Sequence, residues 1–213
     1  DGDTFVAFID ISGFKDLMKN NERAFTALNT FYNSGYSALS IYGEVQGLFI
    51  SDSGILIAPL NCEKGVSLEL LLKVIREINR DMRSNGFMLT TSISYGKFTY
   101  RERIEFPGIE KNPIYGNGYV SAFLDNENGT PKIQPGQCRI IKENCPIDLG
   151  ANENEGNTFS LVQKRRGDGQ HYYFYWMLDS PADVETFERN YIDTYNLKYA
   201  GMLAALRGKY HGA

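Results

Sequence analysis

Two stretches set the limits on what this chain can fold into: Phe5 to Phe14, FVAFIDISGF, and Gly47 to Pro59, GLFISDSGILIAP. The first is an apolar run rich in Val, Ile and Phe that ends in Asp10 and breaks at Ser12-Gly13. It predicts a buried strand that delivers a carboxylate to its own end. The second holds two apolar runs parted by Ser51-Asp52-Ser53-Gly54, the pattern of a hairpin with an acid at its turn. Side by side, these strands bring Asp10 and Asp52 together at one edge of a sheet. Two carboxylates that close repel each other unless a positive charge lies between them, and oxygen ligands suit a hard divalent cation. Metal sites of this kind hold triphosphates. Either acid alone is an ordinary turn residue or helix cap; both standing at the same kind of break, between long apolar runs, favours the site.

Composition narrows the function classes. With 213 residues, 42% hydrophobic and 23% charged, the chain can bury a full core, and neither disorder nor membrane spanning is expected. A net charge of -4 argues against binding nucleic acid through bulk electrostatics, so any polyanion must be met by a local basic cluster. Cys62, Cys138 and Cys145 are scattered without metal spacing, which fits a reducing cytoplasm. Two histidines, His171 and His211, argue against a zinc site. No apolar run of about 18 residues occurs and no basic-then-apolar leader opens the chain, so neither a transmembrane helix nor a secretory signal is expected.

Helical spacing of Phe25, Leu28, Phe31, Tyr32, Tyr36 and Leu39 predicts an amphipathic helix over Glu22 to Ile41, and Leu68 to Met82 a second over Val66 to Met82. Leu89 to Tyr100 reads as a long strand bent at Gly96. A polar connection follows from Arg101 to Pro113, then a helix from about Gly116 to Glu127 and a short strand over Cys138 to Lys142. Thr158 to Lys164 and His171 to Leu178 flank a hairpin whose tip is Lys164-Arg165-Arg166-Gly167-Asp168-Gly169. Ser180 and Pro181 open a helical tail to Tyr210, richer in aromatic and leucine residues than one domain face needs, so a partner subunit is expected over part of it. The order predicts an α+β fold with a mostly antiparallel sheet and helices on one face. Residues 1–179 read as one domain and 180–213 as a helical extension on the core or on a dimer partner.

This order of motifs resembles the class III nucleotide cyclase catalytic domain over about Thr4 to Leu178. The resemblance rests on Phe8-Ile9-Asp10-Ile11-Ser12-Gly13-Phe14, on Asp52 in the hairpin and on Tyr115-Gly116 opening a helix. It implies a ferredoxin-like core in which Asp10, Asp52 and the Ile11 carbonyl bind two Mn2+ or Mg2+ ions. Backbone N–H groups from Ile11 to Phe14 would cradle the phosphates, and Lys164, Arg165 and Arg166 would touch the triphosphate. In adenylate cyclases of this class a Lys about six residues before the second Asp, and an Asp three before the later Gly, read adenine. Here Gln46 and Pro113 stand there, so the adenine code is absent.

The family's ribose-orienting Asn and transition-state Arg fall on Val120 and Leu124. Lys97, Arg101, Arg103 and Asn117 are the candidates to replace them. Intact metal acids without a purine code resemble the pyrimidine cyclases of Pycsar antiphage systems. That resemblance implies a cytoplasmic homodimer making cyclic UMP or cyclic CMP, whose product alone reaches a separate effector. Alternatives from the same residues are a catalytically silent nucleotide-binding module and a purine cyclase with a rearranged pocket.

Overall fold

The computed structural model describes residues 1–100, 103–106, 109–111, 114–149 and 158–194. In chain order the first half holds β1 (Gly2–Ile11), α1 (Phe14–Leu17), α2 (Asn21–Ile41), β2 (Gln46–Ile50), β3 (Ser53–Ile57), α3 (Lys64–Ser84) and β4 (Leu89–Tyr100). The second half holds β5 (Arg103–Phe106), β6 (Ile109–Lys111), β7 (Ile114–Tyr115), α4 (Asn117–Asn128), β8 (Cys138–Ile141), β9 (Val162–Lys164), β10 (His171–Phe174) and α5 (Val184–Thr194).

Strand β1 lies inside the sheet because Thr4 to Ile9 are all buried, and the one polar member, Thr4, donates its hydroxyl to the Ala58 carbonyl at 2.9 Å. Antiparallel β3 and β4 flank it. The order is β2-β3-β1-β4-β8-β10-β9, with β7 on the far end of β4; among the described residues only the β4–β8 pair is parallel. The mostly antiparallel sheet expected from sequence is therefore present, but its helices, expected on one face, cover both, with α2 and α3 on one side and α4 on the other. The polar connection after Tyr100 contains more structure than its composition suggested: β5 and β6 form a short antiparallel pair. Two- to four-residue strands carry too little periodicity to be seen in advance.

Strand alternation divides the core. Phe5, Ala7, Ile9 and Leu56 join the cluster that α2 and α3 cover with Ala27, Phe31, Leu71 and Ile75. Val6, Phe8, Ile55 and Ile57 face the other way and pack with Ala122 of α4. Helix α2 begins where Asn20 accepts a bond from the Arg23 N–H at 3.1 Å, a side-chain N-cap. The Phe49 ring of β2 locks the first hairpin to α2: a Cβ on Gly35 would stand 2.3 Å from that ring, and one on Gly54 3.1 Å.

Helix α4 lies along β4 on a row of small polar residues. Thr90 donates to Asn126 at 3.1 Å, Ser92 donates to Asp125, and Ser94 donates to the Gly118 carbonyl. At the far end the Lys97 N–H donates to Asn117 Oδ1 at 2.7 Å, and a Cβ on Gly96 would come within 2.8 Å of that oxygen. The glycine inside β4 thus serves close helix approach. Among the described residues no helix is long and apolar enough to cross a membrane, and the three cysteines are free thiols. The tail is helical through Thr194 after a 3-10 turn at Pro181–Asp183 capped by Ser180; its expected continuation to Tyr210 lies outside the described residues.

Gly116 joins β7 to α4 at φ +130°, where a Cβ would lie 2.0 Å from the Lys97 carbonyl oxygen. Gly116→Ala is expected to destabilise the protein by about 2–4 kcal/mol. Urea unfolding measures this, and a loss below about 0.5 kcal/mol would contradict the packing described.

Candidate active site

Asp10 is the last-but-one residue of β1 and pairs with Ser53, the first residue of β3. Its parity with Val6 and Phe8 places it on the α4 face. The β2–β3 hairpin closes through Ser51 and Asp52 alone, with Ser51 at φ +56°. Two-residue loops of this kind need a positive φ, so the loop holds Asp52 at a set position beside the end of β1. The Ile11 N–H donates to the Asp52 carbonyl at 3.0 Å, which ties the two acidic segments together through the backbone.

The electrostatics reflect this closeness. Burial pushes the Asp10 carboxyl up, a 2.9 Å hydrogen bond from the Ser53 hydroxyl pulls it down, and the charges of Asp52 and Glu127 push it up again, to about 6 from an ordinary 3.8. A carboxylate pushed up by its neighbours' negative charge is a site that gains from a cation. Among the described residues no group of three or more His, Cys, Asp or Glu could hold a metal ion. A cation here would complete its shell with backbone carbonyl, water and phosphate oxygens, the habit of Mg2+ beside one or two carboxylates. The donor set therefore fits a hard divalent ion that arrives with a phosphate ligand.

The other sequence-selected residues are spread more widely within one chain. Phe14 buries its ring in the core. The Ile11 and Ser12 N–H groups are taken by the Asp52 and Met88 carbonyls, so the expected phosphate cradle from Ile11 to Phe14 narrows to the N–H groups that follow. Gln46 shares the Asp10 face but sits level with Val6, four residues or about 13 Å along the sheet, at a cleft also lined by Glu44 and Cys62. Lys97 stands opposite Asp3 while Thr90 stands opposite Asp10, which puts Lys97 about 23 Å away at 3.3 Å per residue and on the α2–α3 face. Asn117 caps that same remote end. Arg101 lies outside the described residues, as does Pro113, and of Arg103 only the backbone is described.

Lys164, Arg165 and Arg166 lie on the opposite edge of the sheet, four strands or roughly 19 Å from β1. They border a cleft of about 540 Å³ with Lys132, Tyr173 and Glu188. Arg165 is committed there: its Nε pairs with Glu188 at 3.0 Å and its guanidinium lies 5.2 Å from the centre of the Tyr173 ring. Val120 and Leu124 are 45% and 50% exposed on α4. Sequence reasoning missed Ser53 and Glu127. Ser53 neighbours Asp52 in the turn, but its bond to Asp10 follows only from register; Glu127 is distant in sequence and meets Asp10 only because α4 crosses β1.

No family model matches the chain, and no curated protein matches it. Solved structures do. The guanylate cyclase domain of RhGC from Catenaria anguillulae, in complex with GTP, superposes with a TM-score of 0.54 at 12% identity, over 66% of this chain and 78% of that one. A guanylyl cyclase domain of the RhoGC fusion protein from the fungus Blastocladiella emersonii gives 0.54 at 14% identity, over 67% and 80%. The adenylyl cyclase CyaB from P. aeruginosa gives 0.51 at 15% identity, over 81% and 91%. The chain has the fold of the class III nucleotide cyclase catalytic domain.

The pKa of Asp10 has a consequence for stability. Because the folded value lies above the unfolded one, the folded state binds the extra proton. Asp10 thus burdens the metal-free fold least below about pH 4 and increasingly as pH rises through 6. Asp10→Asn is expected to stabilise the metal-free protein at pH 7.5 by on the order of 1–2 kcal/mol after solvent screening, with the gain fading toward pH 4. Denaturant titrations at both pH values measure this, and an equal effect at both would refute the assignment.

Proposed function

We propose that the protein is a metal-dependent pyrimidine nucleotide cyclase that converts UTP to 3',5'-cyclic UMP and pyrophosphate. The observation that carries this reading is the convergence of Asp10 and Asp52 at one end of a cyclase-type sheet, with the Asp10 carboxyl raised by burial first and then by the charges of Asp52 and Glu127. Similarity in fold to domains crystallised with GTP supports nucleotide chemistry at that end. Gln46, in place of the lysine that reads adenine in adenylate cyclases of this class, supports a base other than adenine: its amide offers both a donor and an acceptor to a base edge. Cyclic CMP is the alternative product, because an amide can turn to suit either edge. In this reading the product is a second messenger in antiphage defence that acts through a separate effector.

Asp10, Asp52 and the Ile11 carbonyl would hold the divalent ions, Mn2+ or Mg2+. When bound, such ions lower the pKa of the ribose 3'-hydroxyl and steady charge on the phosphates. The 3'-oxygen bonds to the α-phosphorus as the bond to the bridging oxygen breaks; pyrophosphate leaves and the hydroxyl proton passes to solvent. The N–H groups after Ser12 would offer the phosphates a donor-rich turn. The Lys164–Arg166 tip is remote from Asp10 in its own chain, so in this reading a homodimer brings the tip of one copy to the acids of the other. Tyr115, Val120, Phe123 and Leu124 are all exposed on or beside α4, which supports a partner over this face. The tail from Pro181 would add to that contact.

A second reading, a catalytically silent nucleotide-binding module, is favoured by the apolar side chains at Val120 and Leu124. Incubation with each of the four triphosphates and Mn2+, with products identified by mass spectrometry, separates the readings. Cyclic UMP or CMP is expected. Cyclic AMP or GMP would refute the base assignment, and no product from any substrate would favour the silent module. In the same assay Asp52→Ala should lower turnover by at least about a hundredfold with an unchanged circular dichroism spectrum; substantial residual activity would contradict the metal assignment.

A further inference from the structure

On the α4 face, away from Asp10, four charged side chains are buried together. Arg139 of β8 is fully buried and grips Asp125 of α4 with Nε and Nη2, each at 2.8 Å. Asp125 also accepts from Ser92 of β4, and its Oδ1 lies 2.9 Å from His171 Nε2. The other ring nitrogen, Nδ1, lies 2.8 and 3.0 Å from the two oxygens of Asp168. Asp168 belongs to the basic hairpin tip and also accepts from the Tyr173 hydroxyl at 2.7 Å and the Gln170 N–H at 2.9 Å. Burial opposes the charge on both acids, yet these bonds hold both carboxyls below their usual range.

Ionised carboxylates only accept hydrogen bonds. A ring placed between two ionised acids donates to both only when it carries both protons. The ring links Asp125 of α4 to Asp168 of the tip that bears Lys164, Arg165 and Arg166. Other polar ties reach the tip from β8 and α5: the Lys142 ammonium donates to the Gly169 carbonyl at 3.0 Å, the Lys142 N–H to the Gln170 carbonyl at 2.9 Å, and Arg165 Nε pairs with Glu188 at 3.0 Å. A side chain at 171 that donates to only one acid would break this tie between α4 and the tip while leaving each acid its other bonds.

We infer that His171, held as an imidazolium between Asp125 and Asp168, is a positioning residue that sets the basic tip for binding the substrate's triphosphate. This rests on the cyclase reading in taking the tip as a triphosphate-binding element. It adds that the geometry of the tip is governed from α4 through one proton-carrying ring.

Two measurements on the full chain test it. Nitrogen-15 spectra of histidine-labelled protein at neutral pH, simplified by there being only two histidines, should show both ring nitrogens of His171 protonated; a shift typical of an unprotonated nitrogen overturns the inference even if no variant folds. Calorimetric titration with tripolyphosphate in EDTA should show His171→Asn binding about tenfold more weakly than wild type, and Arg166→Ala similarly weakened. A folded His171→Asn protein with reduced melting temperature but unchanged tripolyphosphate affinity would make the ring merely structural and overturn the inference. Because binding is read without metal or turnover, a chain that binds tripolyphosphate in this manner yet cyclises no nucleotide supports this inference while retiring the cyclase reading.

Discussion

The repulsion between Asp10 and Asp52 is the constraint from which the rest of the site follows. A folded chain does not keep two like charges together unless its backbone leaves no alternative. Here the backbone leaves none: Asp10 is fixed by a strand paired on both sides, and Asp52 by a two-residue turn whose carbonyl is bonded to the Ile11 N–H. Phe49, seated among glycines of α2 and the hairpin, stops the turn from swinging away. Burial first, and the charges of Asp52 and Glu127 after it, raise the Asp10 carboxyl to about 6. This is local destabilisation maintained by a well-packed surround, a common condition of functional sites.

The two faces of the sheet divide the labour. The face under α2 and α3 is apolar and supplies the packing that resists the repulsion. The face under α4 is mixed: a small apolar cluster at Val6, Phe8 and Ala122, a row of hydroxyls along β4, and the buried Asp125–Arg139–His171–Asp168 network. Fully satisfied buried charges contribute little net stability but fix one arrangement over others. Their place here, between α4 and the basic tip, is where a fixed arrangement would matter to a polyanionic substrate.

Much of this was legible in the sequence, for reasons that differ by element. The Phe5–Phe14 run and the Ser51–Gly54 break could hardly mean anything but strand and turn, and both long helices declared themselves by the spacing of Phe31, Leu71 and Ile75. The convergence of the two acids followed once those strands were taken as neighbours. What could not be read were relations fixed by register and by crossings. The Ser53 bond to Asp10, the approach of Glu127 and the remoteness of Lys97 and of the Lys164–Arg166 tip all depend on which strands pair and which face a helix crosses. His171 reads in sequence only as the start of a hairpin strand, because its two carboxylate partners lie three and 46 residues away. The short strands β5 to β7 escaped notice because they hold too few residues to show a period.

The central claim is that the Asp10–Asp52 pair is a cation site in waiting. Calorimetric titration with Mn2+ near pH 6, in two buffers of different ionisation enthalpy, addresses it most directly through proton release. With Asp10 titrating at about 6, binding should release roughly half a proton per ion captured by that carboxyl, falling toward zero above pH 8 and absent in Asp10→Asn. Binding with no proton release at pH 6, or no binding at all, would contradict it.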